Sequence, residues 1–294
     1  MARLAACVLV AVTGTGLTGA AASAAAKRHP APMPRGVPAD SLGVQLLQVP
    51  TAARTDPRAL LYIIDHLHPG TVIHRRIEVS NTTPATLPIV VYPAAATITH
   101  GLFLGANGHT PNELSTWTSV TPRSSDVARG GHLTATVTIA VPRDAARGER
   151  YEIVWAETRT RPTRGHGITE VSRVGIRVYL SVGPGGAPPS KFKIVSLTAR
   201  RSATGQPMVV ATVHNTGGRA LDLHGTLELS DGPGGLNAGP FPAKLGVTLG
   251  IADTEPITIT LNKQLPAGPW HARLILLSGL NWAVSECSRQ LGAR

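Results

Sequence analysis

The sequence predicts an all-β protein, and three observations carry that expectation. Short alternating runs rich in Val, Ile and Thr recur along the chain, each bounded by Gly, Pro, Asn or Asp. No stretch holds a helical period, and "PRDAARGER" makes one turn at most. A corner phrase is also written twice: "RRIEVSNTTPATLPIVVYPA" carries Asn81-Thr82 where "VATVHNTGGRALDLHGTLEL" carries Asn215-Thr216. Each corner is followed by a Thr-rich strand, a turn holding Gly148 or Gly268, and an aromatic, Tyr151 or Trp270, that opens another strand. An aromatic at that place pins the turn of an immunoglobulin-like sandwich, its polar atom bonding nearby backbone. The expected architecture is therefore two tandem immunoglobulin-like β-sandwich domains after a signal peptide.

Residues 1–26 have the three parts of a secretion signal: Arg3, the apolar "LAACVLVAVTGTGL" and the small-residue "AASAAA". A membrane span is the competing reading, but Thr and Gly interrupt the run and it falls short of a bilayer. Leu4-Ala5-Ala6-Cys7 looks like a lipoprotein box yet precedes the apolar stretch, so no lipid is expected at Cys7. Cleavage leaves Cys287 as the one thiol of the mature chain. With no disulfide to staple it, an exported protein must rest on cores large enough to hold by burial.

Residues 27–41, "KRHPAPMPRGVPADS", read as a Pro-rich tether. Strands are expected over 42–49, 59–67, 71–80, 86–94, 133–141, 151–158 and 171–182, placing the first sandwich over 42–184. "GPGGAPPS" then breaks the pattern, and residues 185–190 form a Gly/Pro hinge. In the second sandwich, 191–294, strands are expected over 191–199, 207–215, 220–229, 243–249, 255–262 and 270–278. "DGPGGLNAGPFP" reads as a loop, and "GLNWAVSECSRQLGAR", with Trp282 and Cys287, loses strand alternation. Along "YEIVWAET" the odd positions Tyr151, Ile153 and Trp155 share one face and are assigned to the sandwich interior. The stretch 97–131 has no counterpart in the second copy and reads as one long insertion, where binding residues tend to sit.

The formal charge of +11 is spread along the chain, with 23 Arg against 5 Lys in a background of Ala, Gly and Pro. A nucleic-acid binder concentrates its charge in one element, and only "RTRPTR" does so here, so no nucleic-acid partner is expected. The excess still draws the chain to anionic surfaces such as a cell wall.

The chain holds no Gly-x-Ser-x-Gly elbow, no phosphate loop and no His-Glu-x-x-His pair. Glu149, Glu152 and Glu157 form the densest acidic group, and the neighbouring Arg147, Arg150 and Arg159 mark them as ordinary charge pairs. His66 and His68 share a strand face near His74, but Asp65 points the other way, so no metal and no cofactor is expected. The best contact surface is "GHTPNELSTW": Trp117 beside His109, Asn112 and Glu113 sets an aromatic plate among hydrogen-bonding groups, as sugar polymers use. Its competing reading folds Trp117 back onto the sandwich.

The stretches "HPGTVIHRRIEVSNTT", "PAAATITHG", "TVTIAVPRDAARGERYEIVWAE" and "ATVHNTGG" resemble the secreted tandem immunoglobulin-like proteins related to the WxL-interacting protein family, in their actinobacterial branch. The resemblance covers about residues 42–279. It implies a non-enzymatic, extracellular, cell-envelope protein whose first domain binds peptidoglycan and whose second recognises a protein partner. Such proteins usually end in a membrane helix, and no membrane anchor is evident before Arg294. The expected function is therefore non-catalytic binding of a cell-wall glycan or a surface protein. The alternatives are a secreted hydrolase or peptidase with its site in 97–131, and a purely structural spacer or an adaptor that accepts a strand on a sheet edge.

Overall fold

The computed structural model describes residues 41–50, 58–159, 169–246, 248–262, 265–278 and 285–291, the last by backbone only. The signal, the tether up to residue 40 and Trp282 lie outside the described residues. The fold is all-β, two tandem immunoglobulin-like sandwiches, each with its own core.

In the first sandwich a four-stranded sheet runs in the order β1 (Leu42–Leu46), β3 (Val72–Asn81), β8 (His132–Ala140), β6 (Thr118–Thr121). Facing it are β2 (Ile63–Leu67), β10 (Val171–Val182), β9 (Gly148–Arg159), β4 (Leu87–Thr99) and β5 (Leu102–Gly105), with β7 (Ser124–Val127) also paired to β4. β2 joins β10 in parallel, while the other pairs of this sandwich are antiparallel. Strict alternation puts Leu133, Ala135, Val137 and Ile139 of β8 inside, against Val154 and Ala156 of β9. The second sandwich sets β11 (Phe192–Arg201), β12 (Pro207–Asn215) and β15 (Thr254–Thr260) against β14 (Ala238–Lys244), β13 (Leu223–Ser230), β16 (Trp270–Ser278) and β17 (Ser285–Leu291).

The repeated corner has one geometry in both copies. Asn81 is fully buried; its Nδ2 donates to the carbonyls of Ala85 at 2.8 Å and Val127 at 2.9 Å, and its Oδ1 accepts from Thr83 N at 2.9 Å. Asn215 does the same four and two residues on, donating to Arg219 O at 2.9 Å and Gly250 O at 2.9 Å and accepting from Gly217 N at 2.8 Å. An Asn side chain suits this place because it carries a donor pair and an acceptor on one short arm. The next residue fastens the incoming chain in each case: Thr82 N donates to Ser41 O, and Thr216 N to Lys191 O, both at 3.0 Å.

The corners differ where the linker arrives. A Cβ on Gly217 would stand 2.4 Å from Pro189 O, and one on Gly218 2.9 Å from Pro188 Cβ, so the second corner needs its two glycines to clasp the chain between β10 and β11. Trp270 donates through Nε1 to Pro266 O at 3.2 Å, closing its turn onto backbone. Tyr151, by contrast, gives its hydroxyl to the Glu149 carboxylate at 2.6 Å.

Several sequence expectations are corrected. Residues 97–131 are not one long loop: they supply β5, a short helix α1 (Glu113–Trp117), β6 and β7. "DGPGGLNAGPFP" holds a 3-10 turn at Pro233–Gly235 and the start of β14, whose Phe241 packs on the second core, while Leu245, Gly246, Thr248 and Leu249 lie beyond β14 outside its strand. The C-terminal stretch regains pairing as β17, with Cys287 opposite Leu274.

Replacing Asn81 or Asn215 by Ala leaves several buried carbonyl and amide groups unpaired, and is expected to cost roughly 2–4 kcal/mol. Gly217→Ala is expected to cost about 1–3 kcal/mol through the clash with Pro189. Urea unfolding midpoints check both, and Thr83→Ala, whose hydroxyl half of the corner is partly solvated, serves as the milder control.

Candidate functional site

β9 is buried on both faces, and this organises everything around it. Glu152, Val154 and Ala156 point toward the sandwich interior, whereas Tyr151, Ile153 and Trp155 point away from it. The odd face of "YEIVWAET" is therefore not the sandwich filling. Both parities are apolar, and only the cover on the far side tells them apart. That cover is the β4–β5 hairpin, which continues past the end of the β9 pairing. Phe103 meets Tyr151 at 6.4 Å and Tyr179 at 5.3 Å between ring centroids. Trp155 Nε1 donates to Ala106 O at 3.1 Å. Gly105 and Gly175 both make room for the Trp155 ring; a Cβ on either would approach it to 2.7 Å.

The hairpin turns through His100 at φ 49° and Gly101 at φ 73°, both left-handed, as a two-residue connection with strand twist requires. Its tip reaches the second sandwich, where Thr248 N donates to Gly101 O at 2.8 Å. Both sandwiches belong to one unit of the chain, Val37–Arg294, and other bonds tie them. Glu149 Oε2 accepts from Ala220 N at 2.6 Å, and Arg58 pairs with Asp222 at 2.8 Å while lying 4.7 Å over the Tyr179 ring. Burial pushes Glu149 above the usual carboxylate range despite those bonds.

The four contact residues expected from the sequence all take internal partners. Asn112 caps α1, its Oδ1 accepting from Ser115 N at 2.9 Å, and its Nδ2 donates to Tyr151 O at 2.7 Å. Glu113 forms an ion pair with Arg150, whose Nη2 donates to Oε1 at 2.9 Å and whose Nε lies 2.8 Å from Oε2, and the first effect of that bond is to hold its carboxyl below the usual range. The same guanidinium lies 4.9 Å over the half-buried Trp117 ring, which packs on the first core. His109 stands on Tyr92, ring centroids 3.9 Å apart, with Tyr92 donating to Glu157 Oε2 at 2.5 Å. Asn112, Glu113 and Trp117 thus gather at the start of β9, and the Trp117 ring carries Arg150 on it.

The acidic trio is also not a set of surface pairs. Only Glu157 meets its expected arginine, Arg159, at 2.7 Å. Glu149 serves the joint, and Glu152 is sealed at 0 % exposure with one oxygen accepting from Thr118 at 2.9 Å and the other without a hydrogen-bond partner among the described residues. Desolvation pushes Glu152 up to about 8. Asp65 is held by Arg75 Nε at 3.0 Å, and among the described residues no cluster of His, Cys, Asp and Glu is arranged for a metal.

Sequence reasoning missed the arginines of the outer face. Arg173 lies 4.7 Å over Trp155, and Arg177 sits between Tyr62 at 5.2 Å and Phe103 at 4.9 Å. Their alternation along β10 with Gly175 between them was a readable signal. What the outer face presents is therefore guanidinium stacked on aromatic rings, beside the exposed Leu102 and Leu104 of β5.

No protein-family model matches the chain, and no curated protein matches it. Similar solved structures include the YadV chaperone, at 10% identity over 84% of this chain and 99% of that one, TM-score 0.42. A second is the Salmonella enterica SafA pilin in complex with the SafB chaperone, at 12% identity over 87% and 98%, TM-score 0.41. The Pseudomonas aeruginosa CupB2 chaperone matches at 11% identity over 79% and 97%, TM-score 0.37.

With a folded-state pKa of about 8, Glu152 keeps a proton that the unfolded chain releases near its ordinary value of 4.5. Its contribution to stability is complete below that lower value and is lost as pH rises through about 8. Thermal unfolding between those limits should show the melting temperature of the parent falling more steeply than that of Glu152→Gln; parallel profiles would mean that Glu152 reaches water.

Proposed function

We propose that the chain is a non-catalytic, exported protein of the cell envelope that works by binding another protein at the outer face of its first sandwich. The observation that carries this reading is the fate of the chemically capable groups in and around residues 97–131. Asn112 and Trp117 are tied back onto the sandwich, and Glu113 and His109, though exposed, are engaged by Arg150 and Tyr92, while the outer surface keeps guanidinium groups and leucines. A carboxyl near 8 suits a general acid, but Glu152 at 0 % exposure has no route to a substrate, which weighs against the hydrolase. An aromatic plate for sugar needs an open ring face, and Arg150 lies on Trp117. Apolar side chains on an exposed edge suit a protein surface better than a hydrated glycan. The resemblance to WxL-interacting proteins supports the envelope as the location.

Co-sedimentation of the mature protein with purified cell wall, before and after protease stripping of the wall, separates the partners. Retention that disappears on stripping is expected and supports a protein partner. Retention that survives stripping at moderate salt points to peptidoglycan itself, and no retention at any salt defeats the envelope reading. Trp117→Ala should lower the melting temperature and leave retention unchanged.

A further inference from the structure

We propose that β5 is an acceptor edge for an extended segment of the partner, one that alternates apolar and acidic side chains; this deepens the protein-binding reading and rests on it. β5 ends the sheet order β2-β10-β9-β4-β5, so one side of its backbone has no strand beside it among the described residues. The register fixes which groups point there. Thr99 closes the hairpin opposite Leu102, Thr97 faces Leu104, and Ala106 N donates to Ala95 O at 2.8 Å, so the pairs that exchange bonds are 99/102, 97/104 and 95/106. Phe103 and Gly105, between them, direct N–H and C=O to the open side.

Three other edges, β14, β15 and β11, carry residues that discourage pairing. β14 holds Pro240 and Pro242, β15 holds Pro256, and β11 holds Lys193, Arg200 and Arg201. β5 has none of these, and its outward leucines, Leu102 and Leu104, are 49% and 50% exposed. The edge is also held in place. Phe103 is packed on Tyr151 and Tyr179, Gly105 is lodged against Trp155 and Ile153, and Gly101 is bonded to Thr248, so little ordering remains to oppose binding.

Charge selects the occupant. On the Phe103 side of β5 lies Arg177, which has no ion-pair partner within 4.0 Å among the described residues, and Arg173, which donates to Asn107 just beyond the strand. Arg173 and Arg159 share the single carboxylate of Glu157. A second copy of the chain pairing edge to edge would bring two such arginine sets together. An incoming strand with apolar residues at alternate places would meet Leu102 and Leu104 on one face, and carboxylates at the places between would meet the arginines on the other.

The probe is a labelled, end-blocked peptide of alternating Glu and Val, with a Lys and Val peptide as its counterpart. Fluorescence anisotropy should show saturable binding of the first and binding about tenfold or more weaker for the second. Amide exchange at Phe103 and Gly105 should slow in the complex. Leu102→Lys with Leu104→Lys, both exposed positions, should abolish binding while the melting temperature is kept. Unchanged exchange at Phe103 and Gly105 with saturating Glu and Val peptide overturns the proposal. So does concentration-dependent dimerisation with those amides protected in the absence of peptide, which would make a second copy the occupant. The two assays fail separately: retention on stripped wall sinks the protein partner, whereas lost wall retention in the double Lys variant together with no binding of the Glu and Val peptide by the parent sinks the strand mode alone.

Discussion

The structure depends on one constraint: β9 must be covered on both faces. Its inner face closes the first core in the ordinary manner of a sandwich. Its outer face, with Tyr151, Ile153 and Trp155, is too apolar to leave in water, since each side chain of that size is worth about 1.5–3 kcal/mol when buried. The β4–β5 hairpin answers that need, and its geometry follows from it. The glycines at 105 and 175 exist to admit the Trp155 ring, and the arginines of β10 finish the cover by stacking on rings that remain half open. Burying the strand has a cost on the same line of residues, for it draws Glu149 and Glu152 out of water. One is compensated by Ala220 N and Tyr151, and the other is kept neutral.

The sandwich frame was legible because it is written in local code. Strands of eight or more residues with a buried and an exposed parity declare themselves, and the buried Asn corners do so twice, since the motif spans only five residues and carries its own bonds. β5, β6 and β7 were not legible. Each has four residues, too few for alternation to stand out, and each is a strand only because β4 or β8 lies beside it. β14 was hidden by its glycine and prolines, which edge position tolerates and a central strand would not.

The site was less legible than the fold, for a physical reason. Sequence neighbours suggested that Arg150 pairs with the acids of its own strand, yet it reaches Glu113, thirty-seven positions away, because α1 packs on the start of β9. The same fold-back that covers Trp117 also supplies its arginine, so an aromatic counted as a free plate became part of a stack. Parity along β9 failed for a similar cause: when both faces are apolar, the pattern says that a strand is central and is silent on which side the sandwich lies.

The two sandwiches are joined through the same surface that carries the exposed edge. Gly101 at the hairpin tip is bonded to the second sandwich, Tyr179 beneath the hairpin faces Thr248, and Arg58 bridges the Tyr179 ring to Asp222. The orientation of β5 is thus set by contacts from both cores, and loosening the joint would release the hairpin at its tip while its base stays packed on Trp155. A tandem repeat gains by this something a single sandwich lacks: the second copy acts as a buttress for an edge that belongs to the first. Glu149 takes part in that joint by accepting from Ala220 N at 2.6 Å, while Tyr151 of its own strand donates to the same oxygen at 2.6 Å. Hydrogen bonds to a carboxylate in such surroundings are stronger than neutral ones, and leaving either partner unpaired there is costly, so the two donors offset part of the desolvation that pushes Glu149 above the usual range.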